Sequence, residues 1–153
     1  MKKIIKITTK STQETLKLGE KIGLRCIGGE IIALTGELGA GKTHFVKGLA
    51  KGLGIEKDIT SPTYVISQQY SDGRLPFIHC DLYRVSHFSE LEEIGWYDFL
   101  SNGAVVAVEW ADKSRDYIRY EKVLWVEIEI ENEEQRIIKL STDREDLFYL
   151  INF

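Results

Sequence analysis

The sequence predicts an α/β domain with a mixed, mostly parallel central sheet and an antiparallel late hairpin, and three observations carry that expectation. Residues 30–35 (Glu-Ile-Ile-Ala-Leu-Thr) form a nearly continuous apolar run that opens into a glycine-rich turn and then a helical pattern. A second apolar run, residues 104–108, ends abruptly at the acid Glu109. Runs of this kind suit strands covered on both faces. Residues 122–131 instead alternate apolar and polar side chains, and a polar turn at 132–135 leads into residues 136–140, the pattern of an antiparallel pair at a sheet edge. A chain of 153 residues can bury one continuous core, and no Pro/Gly/Ser linker or internal repeat divides it, so a single domain over 1–153 is expected.

The remaining elements follow in order. Alternation at Ile4 and Lys6 reads as a first strand. Ser11-Thr12-Gln13-Glu14 is a capping box, with Ser11 accepting from the backbone of Glu14, and Leu16, Leu18 and Ile22 continue as a buried helical stripe to about Leu24. After the glycine-rich turn a helix runs from Lys42 to about Leu53 and stops at Gly54. Residues 63–70 are β-rich, Ser71-Asp72-Gly73-Arg74 is a tight turn, and residues 77–80 are a further strand. Ser89-Glu90-Leu91-Glu92 is a second capping box, opening a helical stretch through Ile94 that resumes after Gly95 towards Leu100. Thr142-Asp143-Arg144-Glu145 is a third, placed to start a short C-terminal helix.

Composition excludes several classes of function. With 43% hydrophobic and 29% charged residues the chain reads as soluble and globular. Its longest apolar runs fall far below the roughly 18 residues of a membrane span. Met1-Lys2-Lys3 leads into the first strand and not into a secretory core, so a cytoplasmic protein is expected. Cys26 and Cys80 have neither metal-ligand nor redox spacing and read as small buried hydrophobes. A net charge of −4 argues against a broad basic face, so strong nucleic-acid binding by the chain alone is not expected.

Gly36-Glu37-Leu38-Gly39-Ala40-Gly41-Lys42-Thr43 matches the phosphate-loop (Walker A) pattern G-x-x-x-x-G-K-[ST] in full. Glycines let the loop curl so that successive N–H groups face phosphate oxygens. Lys42 supplies a mobile positive charge, Thr43 a hydroxyl able to ligate Mg²⁺, and the following helix its positive dipole end. A buried strand before the loop and an amphipathic helix after it point to a P-loop NTPase-like domain that binds a nucleoside triphosphate with magnesium.

Such a loop needs a further carboxylate at the end of a neighbouring strand. Glu109 and Asp81 each close an apolar run, where strand ends meet the ligand crevice. A bound cation is the natural partner of an acid buried there. Position alone is compatible with either acid holding Mg²⁺ while the other orients water. Thr60-Ser61-Pro62-Thr63-Tyr64 lies between them and reads equally as a γ-phosphate-sensing segment or a plain strand lead-in. Trp110, directly after Glu109, is placed near the site. His44 reads as solvated or packing, His79 and His87 have no ligand spacing, and Lys47 and Lys51 mark an exposed helix face.

Taken in order, the phosphate loop, Ser61-Pro62-Thr63-Tyr64, Asp81-Leu82-Tyr83-Arg84, Glu92-Glu93-Ile94-Gly95 and Val108-Glu109-Trp110 resemble the bacterial TsaE family over about residues 9–140. The phosphate-loop pattern alone also occurs by chance in unrelated chains and gains its specificity from the strand before it and the helix after it; the other motifs gain their weight from order and spacing. The resemblance implies a cytoplasmic P-loop ATPase, required for threonylcarbamoyladenosine in tRNA, that works with the TsaB and TsaD proteins and reaches tRNA through them. TsaD would be the transferase, and ATP hydrolysis by the TsaE-like subunit would reset the complex. Carried over by motif, the loop Gly36, Leu38, Gly39, Ala40, Gly41, Lys42 and Thr43 would bind ATP. Thr43 and Glu109 would bind Mg²⁺, Asp81 would support metal or water, and Thr63 would belong to the γ-phosphate-sensing segment. Ser11, Thr12 and Arg136 would lie beside the nucleoside, although the hairpin turn Glu131-Asn132-Glu133-Glu134 lacks the glycine often found before that arginine.

Three other readings share the loop. A small-molecule kinase would need an arginine-bearing lid, and only Arg115 and Arg119 follow Glu109 in a short helical stretch. A GTPase would need the guanine-reading Asn-Lys-x-Asp pattern, which is absent. A nucleotide-binding assembly adaptor, with hydrolysis incidental, needs nothing further. The stretch around Glu93 and Tyr97 is a candidate partner surface.

Overall fold

The computed structural model describes residues 2–60, 67–87, 89–93, 95, 98, 101–118 and 121–153. The expected segment at 61–64, most of the helical stretch beyond Gly95 (96, 97, 99 and 100) and the aromatic side chains of the candidate surface lie outside the described residues.

Seven strands form one sheet: β1 (Lys3–Thr9), β2 (Ile31–Gly36), β3 (Ser67–Tyr70), β4 (Phe77–Asp81), β5 (Val105–Glu109), β6 (Val123–Ile130) and β7 (Arg136–Thr142), in the spatial order β1-β7-β6-β2-β5-β4-β3. The four central strands β6, β2, β5 and β4 are mutually parallel, and β1, β7 and β3 are antiparallel to their neighbours. The late hairpin is therefore not an edge: β6 pairs with β2, and β1 adds itself outside β7. Residue alternation reveals a hairpin, but it carries no information about which strand flanks it.

β2 is apolar throughout because it is covered twice. Ile32 and Leu34 pack into a core under helices α1 (Thr12–Arg25) and α2 (Lys42–Gly52), while Ile31 and Ala33 face a smaller core with Leu82, Val85, Ala111 and Ile118. Beyond β2 the second face opens to solvent, where Lys139 pairs with Glu127 at 3.1 Å and the Arg115 guanidinium lies 4.0 Å from the Trp125 ring. That open face explains the polar alternation of β6.

Local signals hold with adjustments. Ser11 Oγ accepts from Glu14 N at 3.1 Å, but the return bond of the capping box runs from Lys10 N to Glu14, not from Ser11. In the helical turn α3 (Ser89–Glu93) it is Glu90 that reaches back, accepting from Ser86 N. The third capping box does not form: Thr142 completes β7, and a 3₁₀ segment, Glu145–Leu150, starts without a side-chain cap. Helix α2 ends at the Leu53 cap with Gly54 at φ +79°, as expected of a C′ glycine. Cys26 and Cys80 are both free and buried, and burial pushes the Cys80 thiol up to about 12.

The expected stripe of α1 is wrong in one respect: Leu24 is 64% exposed and Leu16 only half-buried. The buried line instead runs Thr15, Leu18, Gly19, Ile22, Gly23, because α1 meets α2 through glycines. A Cβ built on Gly19 or Gly23 would meet the carbonyls of Phe45 or Leu49 at 2.3 Å, and one on Gly48 would meet the Leu16 carbonyl at 1.9 Å. Glycines four apart on each helix thus bring backbone against backbone. Arg74 then closes the C-terminus of α1, donating to Gly23 O at 2.6 Å and Cys26 O at 2.8 Å. Buried Glu30 is satisfied by N–H donors of Ile27 and Gly28 and by the Tyr149 hydroxyl.

This seam sets the first prediction. Gly48→Ala forces the helices apart and is expected to cost about 3 kcal/mol, the upper part of the usual overpacking range. Lys47→Ala, on the exposed side of the same helix, is expected to stay within about 0.5 kcal/mol. Urea midpoints of the two variants check it; equal midpoints contradict the seam.

Candidate nucleotide site

The loop between β2 and α2 is shaped by its backbone. At Gly36 a Cβ would meet the Ile128 carbonyl at 2.6 Å, and Gly41 caps α2 with φ +105°, a left-handed conformation that disfavours a side chain. The Ala40 N–H turns back to the Glu37 carbonyl at 3.0 Å, and α2 begins at Lys42. The loop therefore sits at a helix N-terminus, where unpaired N–H groups and the helix dipole favour an anion.

Lys42 is 5% exposed, and its ammonium donates to the carbonyls of Gly36 at 2.6 Å and Glu37 at 3.0 Å. The indole of Trp110 lies 4.0 Å from it, a cation–π contact. Burial lowers the pKa of this lysine, and the charges of Glu109, Asp81 and Asp112 oppose the shift. Trp110 is, among the described residues, the one non-glycine at positive φ (58°). Holding it there costs roughly 1–3 kcal/mol. Its ring also packs against Tyr83, with centroids 5.0 Å apart.

Parallel pairing of β4 and β5 places Asp81 and Glu109 opposite one another at the same end of the sheet as the loop. Glu109 is 3% exposed. Its two oxygens lie 3.3 and 3.4 Å from the Thr43 hydroxyl, and Oε2 lies 2.5 Å from His79 Nε2. Asp81 is half-exposed and accepts from Tyr83 N at 3.0 Å. Burial raises the Asp81 pKa, the Tyr83 N–H bond lowers it, and the neighbouring Glu109 charge raises it further.

Two cavities flank the loop. One, of about 360 Å³, is bounded by Lys42, Thr43, Asp81, Tyr83, Glu109 and Trp110, with Leu38 exposed at its rim. The other, of about 290 Å³, is bounded by Ser11, Thr12, Thr15, Glu133, Glu134 and Arg136. They share Gly39, Ala40, Gly41 and His44, so the loop is their common wall. Arg136 does border the second cavity, but its donors are committed to backbone: Nε to Ala40 O at 3.0 Å, and the rest to the carbonyls of Gly39, Asn132, Glu133 and Gln135. It joins the hairpin turn to the phosphate loop.

The expected residues Lys42, Thr43, Asp81 and Glu109 are thus brought together, and Ser11, Thr12 and Arg136 meet across the loop from them. Thr63 lies outside the described residues. His79 and Tyr83 join the site unannounced. The available signal for His79 was its place two residues before Asp81, which puts both on one face of a strand. Among the described residues no group of three or more His, Cys, Asp or Glu side chains could hold a metal by itself. The oxygens of Thr43 and Glu109 suit a hard cation that takes its remaining ligands from phosphate and water, as Mg²⁺ does.

The family model described as threonylcarbamoyl adenosine biosynthesis protein TsaE matches residues 9–138. The chain belongs to the TsaE family. The TsaE of Aquifex aeolicus is 38% identical over 144 residues, 92% of this chain and 98% of that protein. The TsaE of Bacillus subtilis is 36% identical over 121 residues, 79% and 75% of the two chains, and that of a Nostoc strain is 40% identical over 111 residues, 71% and 68%. A crystal structure of Bacillus subtilis YdiB superposes with a TM-score of 0.76 at 29% identity, covering 98% of this chain and 93% of that one. The mixed, mostly parallel central sheet with an antiparallel late hairpin expected from the sequence is the fold observed, with seven strands among the described residues. Among the described residues no helix is long and apolar enough to cross a membrane.

Charge crowding at the TsaE site has a measurable consequence. The folded-state pKa of Asp81 lies above its ordinary 3.8, so the native state holds this proton more tightly than the unfolded chain. Stability from this group is full below pH 3.8 and is lost as pH rises through the raised value. Asp81→Asn keeps the acceptor for Tyr83 N and removes the charge. The variant is expected to melt higher than the parent at pH 7 without nucleotide, with the gap closing near pH 3. An unchanged or lower Tm at pH 7 contradicts the assignment.

Proposed function

We propose that this chain is the Mg²⁺-dependent ATP-binding and ATP-hydrolysing subunit required for threonylcarbamoyladenosine modification of tRNA in the cytoplasm. It acts with TsaB and TsaD, reaching tRNA through them, and is not itself the transferase. The observation that carries the reading is the contact of Thr43 with Glu109 at the mouth of a complete phosphate loop, in a chain of the TsaE family.

In this reading the loop N–H groups and the α2 dipole bind the phosphates of ATP, and the nucleoside lies towards Ser11, Thr12 and Arg136. Lys42 exchanges the Gly36 and Glu37 carbonyls for phosphate oxygens and neutralises charge that builds on the γ-phosphoryl group. Thr43 and Glu109 would hold Mg²⁺, which would supply positive charge to offset the charge developing on the phosphates. Asp81, with its raised pKa, orients the attacking water and takes its proton as the water oxygen bonds to phosphorus and the bond to the ADP oxygen breaks. Thr63 belongs to the segment that responds to the γ-phosphate. Turnover by the chain alone is slow in this reading, and a partner completes the site.

The same observation favours a second reading, an assembly adaptor whose hydrolysis is incidental. Kinase chemistry has less support, since Arg115, one of the two candidate lid arginines, stacks on Trp125.

ATP turnover by the purified chain, alone and with TsaB, TsaD and tRNA, tests the proposal. Stimulation of about tenfold or more is expected. Glu109→Gln is expected to keep nucleotide binding and lower kcat about 10²-fold, the scale seen when a preorganised charge-stabilising group is removed. If modification in the complete system survives Glu109→Gln at wild-type rate, hydrolysis is incidental and the adaptor reading stands.

A further inference from the structure

His79 is fully buried in the middle of β4, a polar ring in the interior of the sheet. Nε2 approaches Glu109 Oε2 at 2.5 Å, while Nδ1 is buried and, among the described residues, has no hydrogen-bond partner. An aliphatic side chain would fill the same space without an orphaned polar atom, which normally carries a cost. The imidazole is therefore explained by its Nε2 bond. In the ligand role proposed below Glu109 acts as a carboxylate, which only accepts hydrogen bonds, and Nε2 is then the donor.

Register fixes the pair. His79 stands opposite Ala107 on β5, and Glu109 is two residues further on, on the same face. The small Ala107 leaves the imidazole its diagonal reach to Glu109. Glu109 is then gripped at Oε2 by His79, while among the described residues Oε1 has the long 3.3 Å contact with Thr43.

We propose that His79 is a positioning residue that fixes the Glu109 carboxylate so that Oε1 is presented, beside the Thr43 hydroxyl, to the cation that accompanies the nucleotide. This rests on the reading of Glu109 as a Mg²⁺ ligand. His79 touches neither nucleotide nor cation and acts through Glu109. Removal of such an outer partner typically lowers metal affinity or activity by about 10–100-fold.

The test compares His79→Gln, His79→Asn and His79→Leu. A glutamine amide can stand where Nε2 stands and donate to Glu109; an asparagine amide is too short, and leucine has no donor. Mg²⁺ affinity of the ADP complex is measured by titration calorimetry, ADP affinity without Mg²⁺ beside it, and kcat and KM for ATP with TsaB and TsaD present. Asn and Leu are expected to lower Mg²⁺ affinity and kcat by about tenfold or more, with metal-free ADP affinity and KM within about twofold, and Gln to restore most of both. Thermal melts show whether each variant is folded at the assay temperature. Wild-type Mg²⁺ affinity in the Asn and Leu variants overturns the proposal, as does equal loss in Gln, Asn and Leu. If the wild-type ADP complex gains no Mg²⁺ site dependent on Glu109, the ligand reading itself falls and the proposal with it. If Mg²⁺ binds but no partner stimulates hydrolysis, only the hydrolytic reading falls, and the Mg²⁺ titrations still decide the role of His79.

Discussion

The site is organised around a carboxylate that the sheet buries. Glu109, at the end of an interior parallel strand, is almost wholly buried, so its charge is tolerable only with donors and positive charge around it. Thr43 and the Lys42 charge come from the first turn of α2, and His79 from the neighbouring strand β4. These two elements, distant in sequence, must arrive together at the end of β5 for that one group to be accommodated. Conversely, a group accommodated in this way is held in one place, which is what a ligand-binding acid requires.

The arrival of α2 depends in turn on backbone packing. Helix α2 carries the loop at its N-terminus and meets α1 through facing glycines, so its position on the sheet is set by main-chain contact with little freedom to slide. Arg136 braces the other side of the loop from the hairpin, and Trp110, in its left-handed conformation, covers Lys42 from the third side. Lys42 rests on carbonyls of its own loop, so phosphate would take over hydrogen bonds already satisfied, without a bare buried ammonium in the free protein. Local strain at Trp110 and charge crowding at Asp81 both fall at this site, as expected where stability is traded for chemistry.

Features written in short stretches of sequence were legible: the phosphate loop, the buried strands that end in Glu109 and Asp81, the Ser11 cap and the late hairpin. Each depends on residues within a few positions of one another. The rest depended on distance. Nothing near Gly19, Gly23, Gly48 or Gly52 says that they form a helix seam, because a glycine seam carries no apolar period, and Leu24 looked like core for the same reason. Arg74 read as part of a turn, whereas it caps a helix nearly fifty residues earlier. The place of β6 beside β2, and of β1 outside β7, is a property of the whole sheet. His79 has no ligand spacing in sequence; only strand register brings it to Glu109.

The most direct measurement is a crystal structure of the chain with a non-hydrolysable ATP analogue and Mg²⁺. Mg²⁺ is expected on Thr43 Oγ1 and Glu109, Lys42 released from the Gly36 and Glu37 carbonyls onto the phosphates, and the nucleoside in the cavity beside Ser11 and Arg136. Phosphates seated away from the loop, or a cation bound with Glu109 uninvolved, would contradict this arrangement.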